Sequence, residues 1–231
     1  MTDSYIYYPE VLTGEMLDIF LSKGWYRMGQ GIFTTQHLIQ EDSIYRVYWL
    51  RYDLERIVLG KTQQKIINQN RSFHTAIVPL EITEELESLF GLYKTSINFA
   101  PAASVQQWLY AEQSLTVFDT ELVEVRDQGK LIAAGIFDRG ADSFSGIMNF
   151  YHPHYRKQSL GKYLMLKKIE QAIRERKRWY YPGYIVYGYP KFDYKLFADK
   201  NAAEIFIPEV NEWHPYDPVL LDALENNETD E

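Results

Sequence analysis

Nine lysines and arginines lie between residues 156 and 178 against two carboxylates, Glu170 and Glu175, a local charge of +7 in a chain of net charge −8. Uniform surface charge would serve solubility equally well, so this concentration points to a polyanion bound locally. Two arrangements within it have chemical use. The run Arg156-Lys157-Gln158-Ser159-Leu160-Gly161 opens a helix, where unpartnered first-turn N–H groups and the helix dipole can hold a phosphate. The same residues also read as an ordinary helix start capped by Ser159. Further on, Lys167, Gln171, Arg174 and Arg178 recur at i, i+4, i+7 and i+11, a row that either follows one phosphate backbone or is a solvated face. Downstream, WYYPGYIVYGYP (179–190) sets tyrosines around Pro182 and Gly183, which break a strand ladder and mark a bulge or a close backbone approach. Tyr181 and Tyr184 offer hydroxyls and stackable faces there. Against that, most tyrosines in a chain holding 19 are packed aromatics.

A regular succession of elements has to hold these groups. Thr13 caps a short helix that Gly24 stops, IYRVYWLRYDL (44–54) alternates as a strand, and KTQQKIINQNRSF (61–73) reads as a polar helix. Thr83 with Glu84 and Glu85 opens a helix to Tyr93, and Ser104 with Gln107 forms a capping box for VQQWLYAEQ (105–113). Short Gly and Asp turns then join FDTELVEVRD, KLIAAGIFD and SFSGIMNFY as antiparallel strands. The middle one is apolar on both faces and belongs inside the sheet. A helix from Leu160 to Arg176 buries Tyr163, Leu166, Ile169 and Ile173, and the aromatic strand follows. The expected fold is α+β, a mixed sheet flanked by helices over residues 79–216, with a small N-terminal αβ unit (1–78) packed on it. Residues 217–231 carry six carboxylates and no base and read as a disordered solubilising tail.

The absence of cysteine excludes disulfides, thiolate metal sites and a cysteine nucleophile. Five histidines are scattered, and His152 and His154 have no clear third ligand, so no metal site is expected. No apolar run approaches about 18 residues, and the acidic N-terminus lacks the layout of a signal peptide. A cytoplasmic protein without a membrane partner is expected.

The order α-α-β-β-β-α-β, with a glycine-bearing loop before the long helix, resembles the acyl-CoA N-acyltransferase (GNAT) superfamily. That loop runs Gln or Arg, two residues, Gly, any residue, then Gly or Ala; here Ser159 stands for the first glycine and Gly161 matches the last. SLGKYLMLKKIE (159–170) and WYYPGYIVYGYPKFDYK (179–195) resemble, more specifically, the arginyl-tRNA–protein transferases and their bacterial leucyl-transferring relatives. The match falls on Ser159, Leu160, Gly161, Tyr180, Tyr181, Gly183, Tyr184, Pro190, Lys191, Tyr194 and Lys195. GKLIAAGIFD (129–138), HPHY (152–155), LSKGWYRMGQGIF (21–33) and QQKIINQNRSF (63–73) resemble other segments of that family.

The resemblance implies an enzyme of the N-degron type. It would move Arg or Leu from charged tRNA to the N-terminal α-amine of a protein, one exposing Asp or Glu among the candidates, with aminoacyl-tRNA as co-substrate and no other cofactor. An α-amine of pKa ~8 keeps a useful neutral fraction at neutral pH, so positioning and oxyanion donors carry the reaction. Backbone N–H groups of the last meander strand or a tyrosine hydroxyl would supply those donors. By this resemblance Arg156, Ser159 and Gly161 hold the terminal nucleotide, and Lys167, Arg174 and Arg178 follow the acceptor stem. Tyr181, Tyr184, Lys191, Tyr194 and Lys195 surround the reacting centre, and Arg71 approaches the acceptor peptide. The family's N-terminal cysteines, implicated in metal binding, have no counterpart here. Tyr26 stands for an Arg, Asn68 and Gln69 for basic residues, Tyr189 for Cys, and Asp193 for Lys or Arg, while His152 and His154 occupy usual acidic positions. These departures bear on substrate identity more than on reaction class. Two other readings share the fold: an acetyl-CoA-dependent N-acetyltransferase, and a non-catalytic RNA- or protein-binding descendant.

Overall fold

Thr13, Thr83 and Ser104 each accept a hydrogen bond through the side-chain oxygen from the N–H three residues on, and a helix starts at each. The structure, a computed structural model, describes residues 4–40, 42–97, 102–111 and 116–228. In chain order its elements are β1 (Ser4–Tyr7), α1 (Gly14–Ser22), β2 (Tyr26–Met28), β3 (Gly31–Thr35), β4 (His37–Gln40), β5 (Ser43–Asp53), α2 (Lys61–Gln69), β6 (His74–Pro79) and α3 (Glu84–Lys94). There follow α4 (Val105–Tyr110), β7 (Thr120–Asp127), β8 (Lys130–Arg139), β9 (Ser143–Tyr151), α5 (Leu160–Arg174), β10 (Trp179–Val186), β11 (Ala203–Ile207), β12 (Glu212–Pro215) and α6 (Pro218–Glu228). The last residues of VQQWLYAEQ fall partly outside the described residues.

One large sheet runs β12-β11-β5-β10-β9-β8-β7-β6, with β4 paired to β5, and β1-β3-β2 form a small sheet of their own. Every pairing in the large sheet is antiparallel except β9 with β10. The fold is thus α+β, a large mixed sheet flanked by helices. β8 is buried on both faces, as its composition requires: Ile132 and Phe137 pack with Leu164 and Leu166 of α5, Leu131 and Ile136 with Leu86 and Leu89 of α3. Each such side chain contributes about 1.5–3 kcal/mol by leaving water.

Three expectations change. β5 lies between β10 and β11 inside the large sheet, and the division at residue 78 falls within β6. The cause is visible in β5 itself, where Val47 and Trp49 bury on one face while Tyr48, Leu50 and Tyr52 bury on the other. The acidic stretch is helical from Pro218 to Glu228 rather than a solubilising tail. Leu221 is buried, the Tyr48 hydroxyl donates to Glu225 at 2.6 Å, and the Tyr187 hydroxyl donates to Asp222 at 2.9 Å. Finally, α5 ends at Arg174, and Arg176 takes a left-handed φ of 58°. Arg178 therefore leaves the helical row.

Candidate active site

β9 and β10 run side by side for only three residue pairs, from Trp179 with Ser143 to Tyr181 with Ser145. Beyond that point β10 follows β5, with a register slip between Tyr180 and Gly183. Pro182 sits in the slip and has no N–H to give to a ladder. β9 follows β8 through a bulge at Ile147, since Ile136 pairs with Met148 but Phe137 with Gly146. The two strands part, and a cavity of about 750 Å³ occupies the gap, lined by residues from both faces of the sheet.

Its walls come from distant parts of the chain. Gly146 to Asn149 present the bulged backbone of β9, and Met165 and Lys168 rise from α5. An aromatic wall is built from Tyr26, stacked on Trp49 at 4.9 Å, and Tyr184, which meets Trp49 edge-on at 5.2 Å. The Tyr26 hydroxyl accepts the Gly183 N–H at 2.9 Å, which ties the small sheet to the point where β10 breaks. Burial holds the Tyr26 phenol well above its ordinary pKa, so it stays neutral and can still donate. Arg27 is buried beside the cavity, ion-paired to Asp138 at 2.8 Å and donating to the carbonyls of Gly29 and Leu109.

Two lysines reach the cavity without a carboxylate partner among the described residues. Lys168 donates through Nζ to the Ile136 carbonyl and to Asn149 Oδ1, both at 2.8 Å. Lys195 donates to the Tyr184 carbonyl at 2.9 Å, with Nζ 4.6 Å from the Tyr184 ring centre and 5.0 Å from that of Phe192. Desolvation pushes both ammonium groups down to about 7. The unfolded value is ~10.4, so between pH 7 and that value the unfolded chain binds more protons and stability rises with pH. Below 7 each lysine is charged in both states and the slope disappears. Chemical denaturation at pH 7, 8 and 9 should show this rise, and Lys168→Met should reduce it by up to about 1 kcal/mol per pH unit. An unchanged slope in Lys168→Met would contradict the depressed value.

The residues singled out from sequence fall into three groups. Tyr184, Tyr194 and Lys195 line the cavity. Tyr181 does not: it lies on the opposite face of β10 from Tyr180, packed edge-on against Tyr26 and Trp213, with burial pushing its phenol up to about 12. Lys191 is exposed on the same short 3₁₀ helix as Lys195, outside the cavity wall. At the start of α5, Ser159 adopts φ 54° and makes no side-chain cap, because the 3₁₀ helix Pro153–Gln158 runs straight into α5 with Ser159 as the hinge. Gly161 is half-buried in the first turn, and Arg156 is exposed just before it. Arg71 is also exposed, and its neighbours Gln69 and Asn70 donate to the carbonyls of Lys157 and Gln158. That puts it beside the α5 loop rather than in the cavity. Lys167 pairs with Glu170, and Arg174 donates to Gln171. Arg178 is engaged by Asp53 and Glu55 and lies over Trp179. Among the described residues no three His, Cys, Asp or Glu stand together as a metal site would require, and no helix is long and apolar enough to cross a membrane.

The family described as "Arginine-tRNA-protein transferase, C terminus" matches residues 84–201, the span that contains the meander, α5, β10 and Lys195. The chain belongs to this family. Its reaction class is aminoacyl transfer. An aspartate/glutamate leucyltransferase of Leptospira interrogans is 28% identical over 220 residues, covering 90% of this chain and 80% of the relative. One from Saccharophagus degradans is 26% identical over 171 residues, covering 71% and 69%. Among solved structures, L-PGS from Bacillus licheniformis aligns with a TM-score of 0.44 at 11% identity, over 61% of this chain and 46%, less than half, of that one.

The matched span supplies one side of the cavity; Tyr26, Arg27 and Trp49 come from outside it. Sequence reasoning noted Tyr26 only as a departure from the family it resembles, and passed over Arg27, the β9 bulge and Lys168. For Lys168 a signal existed: Leu164, Lys168 and Ala172 repeat at i, i+4, i+8 beside the apolar stripe, so one lysine interrupts a buried row. For the bulge at Ile147 the one local mark is Gly146, a glycine inside a strand, where a Cβ would stand 2.5 Å from the Tyr180 hydroxyl.

Proposed function

We propose that this enzyme transfers an uncharged aliphatic aminoacyl group, leucine, from tRNA to the N-terminal α-amine of proteins beginning with Asp or Glu, on a GNAT-like fold. One observation carries the donor assignment: no carboxylate occurs among the described residues lining the cavity, while Arg27, Lys168 and Lys195 do, and of these only Arg27 is ion-paired. An arginyl side chain there would be a third cation without a counter-charge, which a desolvated site rejects. Ile147, Met148, Met165 and the aromatic wall suit a leucyl side chain. The naming of the relatives as aspartate/glutamate leucyltransferases supports both the donor and the acceptor. The parting of β9 from β10, with a bulge in β9, supports the GNAT-like reading.

In this reading the ester carbonyl lies against the bulge, where the Ile147 and Met148 N–H groups meet the developing oxyanion. Arg156, Ser159 and Gly161 receive the terminal phosphate outside, and Arg174 extends that cationic surface. Offered leucyl-tRNA and arginyl-tRNA together with a peptide beginning with Asp, the protein should add leucine in preference by about 100-fold or more, since an unpaired buried charge costs several kcal/mol. Mass spectrometry of the peptide identifies the donor directly. Comparable addition of arginine would overturn the assignment.

A further inference from the structure

Lys195 stands on a rigid support. It belongs to the 3₁₀ helix Pro190–Leu196, whose backbone is fixed by the Tyr52 hydroxyl donating to the Lys195 carbonyl at 2.6 Å and by Leu196, which is buried. The side chain then reaches back across Gly183, where a Cβ would stand 3.0 Å from Nζ. An ammonium has three donors. One goes to the Tyr184 carbonyl, and among the described residues the other two have no partner. The rings of Tyr184 and Phe192 flank the charge without neutralising it. A held, desolvated cation with spare donors at a cavity wall is a receptor for an anion.

Resting on the function proposed above, we infer that Lys195 is the residue that selects the acceptor: its ammonium pairs with the side-chain carboxylate of an N-terminal Asp or Glu. Three observations favour this carboxylate over a phosphate of the donor. Lys195 shares its stretch of wall with Tyr194, which is 53% exposed, so this part of the wall reaches the protein surface, where a chain end can arrive. The exposed cations that suit phosphates, Arg156 and Lys157, lie elsewhere, before the first turn of α5. Finally, the carboxylate of Asp or Glu is only a few bonds from its own α-amine, so holding it also fixes the nucleophile.

The step this positions balances without any further reagent. The acceptor's α-amine nitrogen attacks the ester carbonyl carbon, forming a C–N bond as the ester C–O bond breaks. The ribose oxygen of the tRNA leaves with the bonding pair and takes up the proton shed by the amine. Lys195 touches the acceptor's side chain, not the breaking bond, and so acts on acceptor choice.

The test is the ratio of kcat/KM for peptides that differ only in Asp against Asn, or Glu against Gln, at the first residue, with leucyl-tRNA saturating. The wild-type ratio is expected to be at least about 30-fold, the range for losing one partner of a buried charge pair. In Lys195→Met it should fall towards one, and in Lys195→Arg it should stay above about 10-fold, the charge being kept. A ratio unchanged in Lys195→Met overturns the assignment. This includes the case of equal losses on all peptides, and the case of a raised KM for leucyl-tRNA, which would hand the ammonium to the donor's phosphate. Thermal melts accompany each variant. Should Lys195→Met fail to fold, Lys195→Gln against Lys195→Arg decides the same ratio. Wild-type protein that transfers nothing to any peptide overturns the proposed reaction itself, whereas transfer without an acid preference overturns only the role of Lys195.

Discussion

Arg27→Met is expected to destabilise the protein by about 3–5 kcal/mol, the cost of leaving a buried charge without its partner. The whole fold of a domain this size is worth only about 5–15 kcal/mol, so the effect would show as a large drop in denaturation midpoint. The Arg27 and Asp138 side chains are 1% and 0% exposed and meet at 2.8 Å. Thr120 donates to the same carboxylate oxygen at 2.7 Å, while Asp138 Oδ2 has no partner among the described residues. Burial pushes the Asp138 carboxyl up, and Arg27 is the chief force opposing that. Without Arg27 the folded-state value climbs further above the unfolded one, so the protonated acid becomes the favoured native form. The penalty therefore sets in as pH rises through the ordinary carboxylate range and keeps growing up to the raised value. Arg27→Met should be less damaged at pH 5 than at pH 8. Adding Asp138→Leu should restore much of the loss, because removing both charges is far cheaper than removing one. A single variant that unfolds like wild type at pH 8 would refute this reading.

That pair also shows where sequence is legible and where it is not. The meander β7–β8–β9, the capped helices and α5 were readable because each rests on local signals: Gly and Asp turns, Thr and Ser caps, and a stripe of period 3.6. The basic run was visible too, yet its members separate in space. Lys168 turns inward, Arg178 joins Asp53, and Arg156 and Arg174 remain exposed. A charge count cannot distinguish these fates, because the choice is made by which side of α5 meets the sheet. The insertion of β5 beside β10 was not legible either. Antiparallel pairing between segments more than 100 residues apart leaves no local mark, and the aromatic wall of the cavity depends on it. Tyr184 stood out because the strand break at Pro182-Gly183 is a local signal for a special backbone, whereas Tyr194 and Lys195 were reached only through the family resemblance of PKFDYK (190–195). Tyr181, one residue before that break, shares the face of Tyr26 and Trp49 but is packed edge-on between Tyr26 and Trp213, behind the cavity wall.

Gly183→Ala should lower kcat/KM by about 100-fold, the order expected when a group that positions the nucleophile shifts by an ångström, with a smaller effect on the melting temperature. Gly183 has φ +103°, a conformation that side-chain-bearing residues avoid at a cost of about 1–3 kcal/mol. Its N–H is held by the Tyr26 hydroxyl, so the backbone cannot relax without breaking a 2.9 Å hydrogen bond in the cavity wall. A Cβ would also lie 3.0 Å from Lys195 Nζ and 3.5 Å from its Cε, so the flexible lysine is the group that yields. Strain and displacement make different predictions when Lys195 is shortened. If the main damage is displacement of the ammonium, Gly183→Ala in a Lys195→Ala background should cost much less activity than it does in wild type, a coupling well above the 0.5 kcal/mol expected of independent sites. If strain dominates, the two losses should add, and the position of Lys195 would owe nothing to the absent side chain at 183.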